Sequence, residues 1–366
     1  MVTVILVGIL AIGVLITVHE FGHFLFAKLF GVGVERFSVG FGRVLLSKRI
    51  GETEYALSAI PFGGYVKMVG ENDNNNNEKP VDPEKSFDKK AVWKRIIICL
   101  AGPVFNFLMA FLLYTAAYFA YGIPMFTTQI GDVNKDSPAE KAGIATGDVV
   151  IGVGIVSPSQ GEGFSPVRKW EELAEFIRKN ERKELRFLVL PQGKPPAVEI
   201  QVVPELKETK NSFGENEKRF IIGIQPAEPV FIKDASKAVP SGALKTASTT
   251  YLLLAGIGKI FFGSVSASES IGGPIQIVQI LGQIMGESGF MGVIFFSAFI
   301  SLNLGIMNLL PIPMLDGGHI PFLLIEAVRG KPVSVKTREL LFRIGLAILL
   351  LIMIFAMFND ISRLFR

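Results

Sequence analysis

Between Val2 and Ala27 the ionisable side chains are His19, Glu20 and His23, set in the stretch ITVHEFGHFLFAKLF of residues 16–30. On an α-helix, positions i and i+4 differ by about 40° in azimuth and about 6 Å in rise, so the two imidazoles share a face and can share a tetrahedral metal ion. Glu20 falls about 60° from His23, beside such an ion rather than on it. A carboxylate standing there can take a proton from water activated by the metal. In soluble helices the pattern recurs by chance. Inside a segment long enough to cross a bilayer, buried charge is costly unless paired or coordinated, and a functional site becomes the default reading. The alternative is three polar groups that satisfy one another and a neighbouring backbone.

A zinc site needs a third protein ligand. Two residues compete for that place in NLLPIPMLDGGH, residues 308–319: Asp316 and His319, the third histidine of the chain. Pro311 and Pro313 interrupt regular helical hydrogen bonding, and Gly317 and Gly318 permit close backbone approach. Unwound backbone within a membrane is tolerated beside protein or a wet cavity. The single cysteine, Cys99, lies in an apolar run and offers neither an internal disulfide nor a cysteine-ligated zinc site.

These residues need elements to carry them. The 366 residues are 49% hydrophobic, concentrated in long runs, and residues 2–27, 96–122, 291–315 and 340–358 are expected to span a bilayer. The first is expected to be retained: no basic residue precedes it, no small-residue cleavage site follows, and the polar trio lies inside it. A net charge of +4 is spread among acidic residues without an aromatic-basic motif, so nucleic acid is not an expected partner. The charge follows topology instead. Residues 28–95 carry twelve Lys or Arg, and Arg329, Lys331, Lys336 and Arg338 precede the last span, which puts both loops on the cytoplasmic side. At about 1.5 Å per residue, His19 lies about 25 Å along the first helix and Asp316 a similar distance along the third. With one span and one external domain between them those helices run parallel, so both motifs reach the same depth.

Between the spans, residues 38–68 read as an unusually apolar β-hairpin around a polar centre at Lys48 to Thr53, resting on the membrane or the helices. Residues 71–85, ENDNNNNEKPVDPEK, read as a polar low-complexity loop. Residues 123–205 read as a small α/β module: a capped short helix at SPAEKAG with Ser137 as N-cap and Glu140 closing a capping box, a strand at 149–153, a helix near 169–179, and strands near 184–190 and 197–203. Its order resembles circularly permuted PDZ domains of bacterial proteases, with IVSPSQGEGFSPV as an insertion. Residues 240–290 are apolar but interrupted; a span at 246–263 would invert the third helix, so this stretch is expected to lie along or dip into the outer surface. The domain plan is therefore 1–122, 123–205, 206–290 and 291–366. The fold class is a multi-pass α-helical membrane protein of four spanning helices, with a membrane-associated β-hairpin region and one extracytoplasmic PDZ-like α/β domain.

HEFGH, the GFG-containing hairpin, AGPVFNF, a PDZ-like insert, GGPIQI, NLLPIPMLDGGH and FNDISRL occur in this order over nearly the whole chain. In that combination the chain resembles the site-2 intramembrane metalloproteases of the bacterial RseP type. The resemblance implies Zn2+ held by His19, His23 and Asp316, Glu20 as catalytic acid/base, and Asn303 and Asn308 binding or orienting substrate. It implies single-span membrane proteins as substrates, anti-sigma factors or remnant signal peptides among them, and a place in the bacterial inner (cytoplasmic) membrane with the site towards the cytoplasm. Members with two tandem PDZ domains differ from this chain, which has room for one. Two rival functions are a membrane-tethered scaffold, which an intact Glu20 disfavours, and a metal transporter, for which a polar path through several spans is expected.

Overall fold

The computed structural model describes residues 2–71, 82–156, 163–211, 215–263 and 272–364, and the chain divides into two compact units, Met1–Tyr118 with Lys237–Arg366, and Phe119–Ser236. Most of the 71–85 loop and the middle of the proposed insertion lie outside the described residues. In chain order the elements begin with α1 (Val2–Leu29), β1 (Val34–Ile50), β2 (Thr53–Met68), α2 (Val92–Tyr121), β3 (Ile123–Met125), β4 (Ile130–Val133), α3 (Pro138–Lys141), β5 (Val149–Ile155), β6 (Ser165–Pro166), α4 (Trp170–Lys179), β7 (Leu185–Leu190) and β8 (Val198–Val202). They continue through β9 (Glu205–Lys210), β10 (Asn216–Ile221), β11 (Ile224–Pro226), β12 (Val230–Ile232), α5 (Ala235–Phe261), α6 (Pro274–Leu309), α7 (Asp316–Arg329) and α8 (Val335–Leu364).

Four of these helices, α1, α2, α6 and α8, are long and apolar enough to cross a membrane. Helices suit that environment because every internal backbone group finds its partner within the segment. On α1, the exposed Leu6, Leu10, Val14, Phe21 and Leu25 recur at helical spacing and form one stripe. The opposite stripe, Leu15, His19, His23 and Ala27, is buried. Helix α6 is two helical stretches joined across a break at Gly289 (φ 57°), so the second stretch begins where the third span is expected to begin. It stops at Leu309, earlier than expected, where the two prolines force the chain out of the helix.

The hairpin region is more elaborate than two paired strands. Residues 36–39 pair with residues 64–67 on one side and with residues 54–57 on the other, and residues 54–57 pair in turn with residues 46–49. Four strips therefore lie side by side, with residues 64–67 at one margin among the described residues. Leu45, Leu46, Ile50, Leu57 and Ile60 are exposed, as expected of a sheet too apolar for water.

In the second unit an antiparallel sheet ordered β6-β5-β7-β8 shares a core with α4, in which Val150, Leu173, Leu185, Phe187 and Val189 are fully buried. Ser137 caps α3 by accepting from the Glu140 N–H, and Glu140 reaches back to the Asp136 N–H. The unit continues past residue 205 because β11 pairs with β4 and β12 with β3, which sets its entry and exit strands together.

The motifs GGPIQI and FNDISRL meet at the start of α6. Asp360, 2% exposed on α8, accepts the backbone N–H groups of Gly273 (2.8 Å), Ile275 (2.9 Å) and Gln276 (3.2 Å). A carboxylate there fills the orphan donors of a helix start and meets the positive end of its dipole. Replacing Asp360 by Ala is expected to destabilise the membrane unit by roughly 2 kcal/mol or more. Thermal unfolding of the detergent-solubilised chain against wild type measures the loss.

Candidate metal centre

Helix α1 approaches α2 closely because Gly22 faces it: a Cβ there would lie 2.5 Å from the Ala101 carbonyl oxygen. Behind that contact, Pro103 breaks the regular ladder of α2, since it has no N–H to give to the turn beneath it. The carbonyl that Pro103 leaves without a helical donor is that of Cys99, and the Ile98 carbonyl beside it accepts from His23 Nδ1 at 2.7 Å. Gly102 leaves room for both imidazoles, since a Cβ on it would lie 2.2 Å from His23 Nε2 and 2.8 Å from His19 Cε1.

Asp316 comes from the other direction. Residues 310–315, between α6 and α7, are non-helical, and Met314 holds a φ of 90°, a strained setting for a bulky residue. Close packing keeps it there. A Cβ at Gly317 would meet the Leu309 carbonyl oxygen at 2.3 Å, one at Gly318 the Ile312 oxygen at 2.2 Å, and one at Gly345 of α8 the Pro313 oxygen at 2.2 Å. The chain thus folds tightly back, and Asp316 opens α7 in its first turn.

Asp316 Oδ2 lies 2.9 Å from His19 Nε2 and 3.4 Å from His23 Nε2, and the two Nε2 atoms are 3.2 Å apart. A carbonyl neighbour fixes the tautomer of His23. With its Nδ1–H given to Ile98, His23 presents a bare lone pair at Nε2. The Asn308 amide nitrogen lies 3.3 Å from His19 Nε2, and the amide nitrogen of the fully buried Asn106 lies 3.1 Å from His19 Nδ1. A metal held at Nε2 would require the proton on Nδ1, and Asn106, whose buried oxygen has no hydrogen-bond partner among the described residues, would then turn that oxygen to it. Three buried electron-rich atoms at these distances repel one another unless a cation lies among them. Among the described residues, this is the group of His, Cys, Asp or Glu placed to hold a metal ion, and a two-imidazole, one-carboxylate set fits zinc with a position left open.

His319, the other candidate third ligand, is not in that group; its ring packs against Phe342 at 5.4 Å. Glu20, His23, Glu71, Cys99, Asp316 and His319, with Val66 and Met68 of β2, line a cavity of about 100 Å³. Glu20 also lies beside the sheet margin, its Cγ 3.5 Å from where a Cβ on Gly64 would stand. Asn303 precedes Asn308 on α6 by more than one turn, and no hydrogen bond joins it to the trio among the described residues. Sequence reading missed Asn106, Gly102 and Glu71. The signal for the first two was AGPVFNF, an amide and a glycine within a span; Glu71 was hidden at the edge of a low-complexity loop. Burial pushes the Glu71 carboxyl up to about 7, against the opposing pull of the Met68 backbone N–H.

A profile described as Peptidase family M50 matches residues 7–352. A "Putative zinc metalloprotease" of Clostridium acetobutylicum is 33% identical over 360 residues, covering 98% of this chain and 97% of its own. Another protein so named, from Campylobacter jejuni, is 34% identical over 361 residues, covering 98% and 93%. The "Zinc metalloprotease RasP" of Oceanobacillus iheyensis is 29% identical over 438 residues, covering 99% and 100%. Substituting Gly102 by Ala is expected to force the imidazoles apart and to lower zinc affinity by about 10-fold or more. Metal content after dialysis against a graded zinc chelator reads it.

Proposed function

The chain belongs to peptidase family M50 and is a multi-pass membrane zinc metalloprotease, and we propose that it hydrolyses peptide bonds within transmembrane segments of single-span proteins. In this reading His19, His23 and Asp316 hold the zinc and Glu20 is the catalytic acid/base. The observation that chiefly supports it is the convergence of three potential ligand atoms, from His19, His23 and Asp316, beside a cavity that Glu20 lines.

When bound, zinc supplies Lewis-acid polarisation at the reacting carbonyl. The remaining work falls to the chain. Glu20 receives the proton of the attacking water and returns it to the leaving nitrogen. The Ile98 carbonyl fixes the tautomer of His23, and Asn106 stands against His19 Nδ1 to orient that ring. Asn303 and Asn308, on the helix that leads to Asp316, bind or orient the substrate backbone. A transmembrane helix conceals its own peptide bonds, so it must unwind before it is cut. Residues 64–67 stand at the margin of the sheet beside Glu20, where an extended segment would lie by β-augmentation.

Topology completes the reading. The basic loops flanking α1, α2 and α8 favour a site towards the cytoplasmic side of a bacterial inner membrane, with the unit Phe119–Ser236 outside. That unit, PDZ-like in its order of elements, acts as a steric filter against substrates with bulky outer domains. Anti-sigma factors and remnant signal peptides meet this description.

In liposomes containing a single-span reporter, Glu20→Gln is expected to slow cleavage by about 10²–10⁴-fold while retaining zinc. Equal cleavage by wild type and variant removes the mechanism; zinc flux without cleavage replaces it with transport.

A further inference from the structure

Helix α7 carries Asp316 in its first turn and Glu326 near its end. Asp316, His319, Leu323 and Glu326 are spaced three, four and three apart, so they fall within about 80° of one another on a single stripe. Leu323, 7% exposed, is buried in one cluster with Ile98 and Cys99 of α2. One turn beyond it, Glu326 meets Arg95 of α2 through both carboxylate oxygens: Nη1 to Oε2 at 3.2 Å, and Nη2 to Oε1. The side chains are 17% and 6% exposed, and the partners are 231 residues apart in the chain.

Helix α2 shows a matching stripe. Arg95, Cys99, Gly102 and Asn106 recur at helical spacing, all buried, with Gly102 and Asn106 against the imidazoles. The two facing stripes thus begin at the metal ligands and end at an ion pair, about 15 Å apart along α7. This distance has a mechanical consequence. The tight fold-back at Gly317 and Gly318 seats the first turn of α7, and Leu323 adds an apolar contact with no fixed direction, so the directional contact further along the helix is the ion pair. A planar guanidinium engaged by both oxygens of a carboxylate does not tolerate rotation.

We propose that Arg95 and Glu326 are positioning residues that lock the rotation of α7 on α2 and so aim Asp316 at His19 and His23. This inference rests on the reading of Asp316 as a zinc ligand. The pair touches neither metal nor substrate; it acts through the orientation of one carboxylate. An apolar pair would pack as well, but would leave the angle open.

The test uses the full chain in detergent, with zinc affinity measured by chelator competition, the visible spectrum of the cobalt(II)-substituted protein, thermal unfolding, and cleavage of the single-span reporter. Glu326→Gln and Arg95→Gln are expected to weaken zinc binding by about 10- to 100-fold and to alter the cobalt spectrum. Arg95→Lys restores part of the loss, and the exchanged pair Arg95→Glu with Glu326→Arg restores most of it. Wild-type zinc affinity and spectrum in both single variants overturn the proposal. So does an exchanged pair that regains the unfolding temperature without regaining affinity, since the pair would then serve stability alone. Unchanged zinc affinity in Asp316→Asn removes the ligand reading and the proposal together. A wild type that binds zinc but leaves the reporter whole refutes intramembrane cleavage, and the rotational lock is then decided by metal affinity alone.

Discussion

Three lone-pair-bearing atoms, two imidazole nitrogens and a carboxylate oxygen, stand within 3.4 Å of one another in the interior of a membrane unit. That convergence is unfavourable by itself, and every nearby feature serves to sustain it. Low dielectric strengthens both the repulsion between these atoms and their attraction for a divalent cation. The protein therefore has to supply rigidity in advance. It does so by engaging the outward nitrogens of both histidines, with the Ile98 carbonyl and the Asn106 amide, so that neither ring can turn away.

Rigidity at this distance requires thin walls. Glycine stands at each place where backbone must come within reach: Gly22 between α1 and α2, Gly102 behind the imidazoles, Gly317 and Gly318 at the fold-back, and Gly345 where α8 closes on Pro313. Small residues at helix contacts are the usual means of close packing where lipid gives no hydrophobic drive. The metal geometry and the helix packing are thus one problem. Ser301 of α6, donating to the Asn106 carbonyl at 2.8 Å, ties the helix leading to Asp316 to the helix that supports His19.

Much of this was legible in the residues. The HEFGH spacing placed two imidazoles on one face, and the prolines and glycines around Asp316 announced an unwound, tightly folded segment. Four apolar runs matched the four long apolar helices, though a further helical stretch, from Pro274 to the break at Gly289, precedes the third run. The start of that stretch is tertiary in origin: Asp360, eighty-seven residues from Gly273, caps it, and no local pattern records such a partner. Similarly, a period-two pattern reveals strands but not their neighbours. The apolar hairpin was readable from residues 38–68; its four-strip pairing was not, because residues 36–39 pair on both sides. Asn106 and Gly102 stayed hidden for the same reason, since their meaning depends on which helix faces them.

The position of the sheet margin gives the last step of the synthesis. A helix that enters a membrane satisfies its own backbone, so unwinding it exposes N–H and C=O groups that lipid cannot satisfy. A protease acting there must offer replacement partners at the point of unwinding, rather than at a distance. In the proposed mechanism residues 64–67 would meet that need: Gly64 stands against Glu20, and Val66 and Met68 line the cavity with His23 and Asp316. That mechanism would confine backbone capture and bond hydrolysis to one small volume. The unwound stretch at residues 310–315 obeys the same rule from the enzyme's side: the carbonyls of Leu310, Ile312 and Leu315 accept the N–H groups of Ile312, Leu315 and Gly318, while Gly317, Gly318 and Gly345 pack close against the stretch.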